Sequence, residues 1–171
     1  MKKRKNIITV AIDSPAAAGA GTQAKLISEY YNLFYLDTGK IYRYIGKLKL
    51  ENNKNFTYNL ISKEVGNLKI NQLNNKALLS NEVAISASKI AKNKKIRNIV
   101  HKYQQKCAYN PPKKYKGSVL DGRDIITVQL KDAMFKFYIS ASLKVRAKRR
   151  YEEYKDLDRK ITYKEVLKSL R

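Results

Sequence analysis

A loop of small residues near the start of the chain has the composition of a phosphate-binding turn. It lies between an apolar run at residues 7–13, which predicts a buried strand, and the apolar spacing of residues 20–31, which predicts a helix. A strand, a tight loop and a helix N-terminus together surround a phosphate with backbone N–H groups. The loop residues predicted to hold a phosphate are Ser14, Pro15, Ala16, Ala17, Ala18, Gly19, Ala20, Gly21 and Thr22.

The loop matches the pattern G-x-x-x-x-G-K-[ST] only imperfectly, and Gly21-Thr22 closes it. Ser14 stands at the first glycine, and Ala20 stands where the pattern has its phosphate-binding lysine. Gly19 keeps the second glycine. Small-residue loops also follow buried strands in proteins that bind no phosphate, so the loop by itself leaves both interpretations open.

Two further polar motifs follow short apolar segments. Residues 33–36 predict a second strand, followed by Asp37 and Thr38, and Val119-Leu120 lead into residues 121–124, which read Asp-Gly-Arg-Asp. Strands that alternate with helices imply a parallel sheet, and ligands of such sheets lie beyond the C-terminal ends of the strands. The sequence therefore predicts that the loop and both motifs share one site.

The remaining pattern predicts one α/β domain over residues 1–171. Helices are predicted at 40–50, at 82–108 with an interruption near Asn93, from Ser142 to about Tyr154, and at 163–170. A further core strand is predicted at 135–139. Residues 60–80 are ambiguous, and 77–79 could form a return strand.

Five motifs in order resemble the cytidylate kinase family, the bacterial CMP kinases among the P-loop nucleoside monophosphate kinases. They read IDSPAAAGAGT, LDTGKIYR, ASKIAKNKKIR, DGRD and ASLKVRAKRR. The resemblance implies a parallel sheet flanked by helices, with transfer of the ATP γ-phosphate to CMP or dCMP. It also implies a part that binds the acceptor nucleotide at about 40–110, with a small antiparallel insert that is shortened here. Residues of about 142–171 would form the start of a lid region.

The resemblance implies roles for the acceptor residues. Arg43 would bind the CMP phosphate, and Asp37 and Thr38 would line the same pocket. Ser88, Arg97 and Asp124 would read the cytosine edge. The ordinary alternatives are that Ser88 is a helix-face hydroxyl and that Arg97 is a solvated arginine.

The resemblance also implies the donor side. The loop would hold ATP, the Thr22 hydroxyl would face Mg²⁺, and Arg123 and Arg149 would act on the phosphates. Arg123 could instead form a structural ion pair with Asp121, and Arg149, with its neighbour Arg150, could simply be solvated. Asp13 could orient the loop or a water near the metal, or accept a helix-entry hydrogen bond.

Two departures from the family, one in the loop and one at the end of the sequence, affect the expected activity. Ala17 replaces a glycine, which costs about 1 kcal/mol if its φ is positive, and Ala20 removes a cation. Lys40 replaces a small residue and could compensate, whereas Lys25 is expected to point away. The resemblance also implies a further lid segment, a strand and a helix, which we do not expect within residues 1–171. A weak or inactive nucleotide-binding remnant is therefore the alternative function.

The amino-acid composition limits which other functional classes the protein could belong to. The net charge of +23, from 37 basic and 14 acidic residues, would suit a nucleic-acid-binding protein. The lysines are scattered, however, and no zinc spacing, aromatic RNA-binding signature or helix-turn-helix accompanies them.

A lone Cys107 excludes a disulfide framework, and no apolar run reaches the ~18–20 residues of a membrane span. The basic start at residues 1–5 does not resemble a signal peptide. We expect a cytoplasmic monomer with ATP and CMP as partners, and no membrane or dedicated nucleic-acid partner.

Overall fold

The computed structural model of the chain describes residues 6–156 and 161–171. The basic start at 1–5, and residues 157–160 of the predicted lid region, lie outside the described residues. The strands are β1 (Ile8–Asp13), β2 (Phe34–Asp37), β3 (Gly117–Gly122) and β4 (Phe135–Tyr138). The helices are α1 (Ala20–Tyr31), α2 (Thr38–Glu51), α3 (Tyr58–Gly66), α4 (Asn81–Ile90), α5 (Lys94–Tyr109), α6 (Leu143–Asp156) and α7 (Tyr163–Ser169).

The four strands form one parallel sheet in the order β2-β3-β1-β4, which confirms the predicted α/β class. The register pairs Asp37 with Asp121 and Asp13 with Gly122. The polar ends of three strands therefore meet at one edge of the sheet. This is the arrangement that the alternating strands and helices predict.

The sheet is covered on both faces because neighbouring strand residues point to opposite sides. Ala11 and Leu120 belong to a core cluster under α2, α3 and α5, and Val10 and Val119 belong to a second cluster under α1. Ala20 is in that second cluster and is 3% exposed. The position of the expected lysine is thus a packing position in this chain.

The predicted return strand at 77–79 and the antiparallel insert are wrong. The segment consists of α3 followed by 3₁₀ turns at Ile70–Asn74 and Lys76–Leu79. The side chains of Thr57, Asn75 and Ser80 each accept a hydrogen bond from a backbone amide two or three residues on, at 2.9–3.2 Å. Such caps begin helical turns rather than strands. The alternation at 68–70 therefore reflects short helical turns.

β4 differs from the predicted core strand. It pairs with β1, but all four of its residues are exposed, including Phe135 at 48% and Tyr138 at 70%. Within the described residues it is an edge strand. Apolar composition alone could not distinguish an edge strand from a central one.

Candidate active site

The loop at 14–22 returns from β1 into α1 through two residues in the left-handed region. Gly19 has φ +97° and Ala17 has φ +62°. The Ser14 amide donates to the Gly122 carbonyl at 3.1 Å, which fixes the loop to β3. No side chain caps α1, so the first amides of the helix are available to an anion.

Ala17→Gly is expected to stabilise the protein by about 0.5–1 kcal/mol. A Cβ at positive φ is strained, and glycine removes that strain at a smaller cost in unfolded-chain entropy. Urea unfolding measures the change. Ala16→Gly is the matched control, because Ala16 has no positive φ and should lose stability instead. A loss of stability in both variants would contradict the strain at Ala17.

Helix α6 lies against this loop through two arginines. Arg149 Nη1 donates to the Ala18 carbonyl at 2.8 Å, and Arg146 Nη1 donates to the Ala16 carbonyl at 3.3 Å. Sequence reasoning selected Arg149 but missed Arg146, whose position three residues earlier on the same basic helix was the available signal. Among the described residues, the buried Nε of Arg146 has no hydrogen-bond partner.

An open cleft of about 610 Å³ borders the loop. Its lining includes Asp13, Ser14, Arg123, Asp124 and Arg146. Arg123 is exposed and makes no ion pair with Asp121, so the structure does not show the structural pair that was one alternative for this arginine. The cleft is therefore bordered by the loop, by cations and by the start of a helical turn.

Asp13 has the structural role that the sequence left open. Its carboxylate accepts hydrogen bonds from the amides of Ile125 and Ile126 at 2.6 and 3.2 Å. These bonds begin the short π-helical turn at Ile125–Gln129, which follows Asp124 at φ +58°. The helix-entry hydrogen bond is thus the role of Asp13 that the structure shows.

Asp121 is a buried acid beside the start of α1. It is 8% exposed, and its Oδ1 has no partner among the described residues. Burial, and then the charge of Asp37, raise the pKa of Asp121 to about 7, while the Tyr35 hydroxyl and Lys40 act in the opposite direction. The same surroundings raise the pKa of Tyr35, first through burial and then through Asp121.

Asp37 and Thr38 both have contacts within the fold. Asp37 Oδ1 accepts from the Lys40 amide at 3.3 Å and so caps α2. The Thr38 hydroxyl donates to the Asp121 carbonyl at 2.8 Å, and Thr38 is 3% exposed. These bonds hold the start of α2 against β3. Their predicted contacts with CMP stay predictions.

Arg43 lies half-buried one turn further along α2. Its Nη1 donates to the Leu78 carbonyl at 2.9 Å. Burial, and then the neighbouring Arg150 guanidinium, lower the pKa of Arg43. Arg150 pairs with Glu153 at 2.9 Å. Two guanidinium groups that repel each other at one place form a good binding site for an anion.

The three residues predicted to read cytosine are only partly brought together. Burial raises the pKa of Tyr42, Arg97 opposes that change and Asp124 adds to it, so both charged groups lie near the Tyr42 hydroxyl. Ser88 is exposed on α4, and no hydrogen bond joins it to Arg97 or Asp124. Tyr42 was missed by sequence reasoning, although it directly precedes Arg43.

The described residues hold no group of three or more His, Cys, Asp and Glu side chains that could bind a metal. No helix in the same part of the chain has both the length and the apolar character needed to cross a bilayer.

The comparisons agree with this geometry. The family model described as cytidylate kinase matches residues 10–171. The cytidylate kinase of Bartonella tribocorum is 44% identical over 168 residues, which cover 94% of this chain and 74% of that protein. The chain belongs to the cytidylate kinase family. The cytidylate kinases of Fusobacterium nucleatum, 40% identical with 96% and 78% covered, and Thermosipho melanesiensis, 38% identical with 94% and 76% covered, agree.

Membership in the cytidylate kinase family makes the chain an enzyme, a nucleoside monophosphate kinase, and confirms the resemblance found in the motifs. The chain spans about three quarters of the length of these relatives.

Proposed function

We propose that this enzyme transfers the γ-phosphoryl group of ATP to CMP or dCMP. The observation that carries the proposal is the pair of neighbouring guanidinium groups, Arg43 on α2 and Arg150 on α6, together with the uncapped start of α1. The guanidinium pair suits the acceptor phosphate, and the uncapped start of α1 suits the donor phosphates. Phosphoryl transfer requires mainly this positioning, together with cations on the moving charge.

On the donor side, the amides of residues 17–22 would hold the ATP phosphates. Arg149 would support the loop through the Ala18 carbonyl, and Arg123 would reach the phosphates from the cleft. The exposed Thr22 hydroxyl, in the first turn of α1, would face the magnesium ion.

Magnesium fits the residues that are present. Mg²⁺ in such enzymes is held by phosphates with one or two protein oxygens, and does not need a cluster of three acids. The Oδ2 of Asp121 lies 3.6 Å from the point where a Cβ on Gly21 would be, and the Oδ1 of the same carboxylate has no partner among the described residues. This carboxylate can serve as such a ligand together with Thr22. When bound, Mg²⁺ would neutralise part of the phosphate charge.

On the acceptor side, Arg43 would bind the CMP phosphate, with Asp37 and Thr38 beside it. Asp124 would accept from the cytosine amine, and Arg97 would donate to the base, since the two lie together near Tyr42. Ser88 would contribute its exposed hydroxyl. Residues of about 40–110 would thus form the acceptor part, and about 142–171 would begin the lid.

A coupled assay with CMP, dCMP, UMP and AMP tests the proposal. We expect CDP and dCDP to form at higher rates than UDP or ADP. The second candidate, which Ala20 favours, is a nucleotide-binding remnant. Such a remnant would bind CMP in a calorimetric titration but would form no CDP in the coupled assay. Equal affinity for CMP, UMP and AMP would contradict the pocket itself.

Arg43→Ala is expected to weaken CMP binding roughly 10- to 100-fold while leaving cytidine binding almost unchanged. The reason is the loss of a charge-assisted phosphate contact worth about 1.5–3 kcal/mol. Calorimetric titration with both ligands measures this. Lys47→Ala, one turn further along α2 and paired with Glu51, is the matched control. An equal loss for both ligands would make Arg43 structural.

We also propose that the enzyme works in the cytoplasm as a monomer. A single half-buried cysteine, Cys107, supports a reducing compartment.

A further inference from the structure

The loop has no cation at position 20, because that residue is an alanine, and Ala20 packs into the core. Residue 20 is 3% exposed and lies in the cluster under α1, so its side chain cannot reach a phosphate. In phosphoryl transfer, the charge that develops on the moving group must be stabilised by cations already in place. Another residue must therefore supply that charge if the site is to work.

Lys40 is placed where that charge is needed. It is the third residue of α2, on the same face as Arg43 three residues on. The side chain of Asp121 lies close both to the start of α2 and to the loop. It is in register with Asp37, which caps α2, and its Oδ2 lies 3.6 Å from the point where a Cβ on Gly21 would be. The Lys40 charge acts on this same Asp121 carboxylate.

The other nearby cations have protein partners or face solvent. Arg149 donates to the Ala18 carbonyl, Arg43 donates to the Leu78 carbonyl and Arg150 pairs with Glu153. Arg146 donates to the Ala16 carbonyl, and Lys25 on α1 and Arg123 in the cleft are exposed. Lys40 is half-buried, and its ammonium group makes neither a hydrogen bond nor an ion pair with any residue that the structure describes. It is available to a ligand.

We propose that Lys40 contacts the phosphoryl group in transit and replaces the lysine that the loop lacks. An oxygen of the acceptor monophosphate forms a bond to the γ-phosphorus of ATP, and the bond from that phosphorus to the β–γ bridging oxygen breaks to release ADP. Lys40, in the first turn of α2 that Asp37 caps, stabilises the charge on the transferred oxygens. The inference rests on the proposed function.

Steady-state kinetics of Lys40→Met and Lys40→Arg tests this role. We expect kcat of Lys40→Met to fall about 100-fold with KM for CMP changed less than about threefold, because the contact is to the transferred phosphoryl group and not to CMP. Lys40→Arg keeps the charge and should retain more of kcat. Lys25→Met is the matched control and should stay within about twofold of wild type. An unchanged kcat in Lys40→Met, or a change confined to KM for CMP, would overturn the proposal.

A binding measurement distinguishes failure of the inference from failure of the proposed function. Tripolyphosphate is titrated into wild type, Lys40→Met and Lys25→Met by calorimetry, with thermal unfolding as a check on folding. We expect a loss of about tenfold in Lys40→Met alone. Equal affinity of wild type and Lys40→Met overturns the role of Lys40. Failure of the proposed function would be seen instead as no CDP from any variant, including wild type.

Discussion

Asp121→Asn is expected to raise the free energy of unfolding by roughly 3–4 kcal/mol near pH 8 and by much less near pH 5. Asp121 is 8% exposed, and burial together with Asp37 raises its pKa from the ordinary 3.8 to about 7. The folded protein therefore holds a proton that the unfolded chain releases between about pH 4 and pH 7. Stability falls as pH rises through this window, and a neutral Asn carries no such penalty.

Urea unfolding at several pH values in metal-free buffer measures this difference. Asp156→Asn is the control, because Asp156 is exposed near the end of α6 and its loss should change the unfolding free energy little at any pH. A difference between Asp121→Asn and wild type that does not grow with pH would contradict a buried, protonated Asp121.

The loss of folding stability that accompanies ionisation of the buried Asp121 is explained if this carboxylate binds cations. Its Oδ1 has no partner among the described residues, while Lys40 lies near enough to lower its pKa. We expect Asp121→Asn to lose turnover while gaining stability. A residue kept for packing alone would lose stability when changed.

Local patterns predicted the parts of the fold that local physics determines. The apolar run of β1 and the spacing of α1 each specify one element, and the alternation of strands with helices implies a parallel sheet. This was enough to place Asp37 and Asp121 at one edge. The interruption near Asn93 was also correct, since that side chain caps α5 by accepting from the Lys95 and Ile96 amides.

Contacts between distant residues determined what the sequence did not predict. Asp13 caps a turn 112 residues away, and the Arg146 contact with the loop spans 130 residues. Neither partner is visible in a local pattern. The exposure of β4 likewise depends on which elements cover the sheet, and not on its apolar composition.

Gly117→Ala is expected to destabilise the protein by at least about 3 kcal/mol. Gly117 begins β3 opposite Ile8, and a Cβ there would lie 1.9 Å from the Ile8 carbonyl oxygen and 2.7 Å from its carbonyl carbon. These are backbone atoms of the central strand, so no side-chain rotation relieves the clash. The β1–β3 register must shift, and that register also places Asp121 beside Ile12.

Gly66→Ala is the matched control for this change. Gly66 ends α3, and a Cβ there would meet nothing within 4 Å, so alanine should be neutral or stabilise by about 0.4–1 kcal/mol. Urea unfolding and CMP titration of both variants are compared, and Gly117→Ala is expected to lose CMP affinity along with stability because the strand ends position the pocket. A Gly117→Ala protein within 1 kcal/mol of Gly66→Ala would show that the close approach of β3 to Ile8 does not exist in solution.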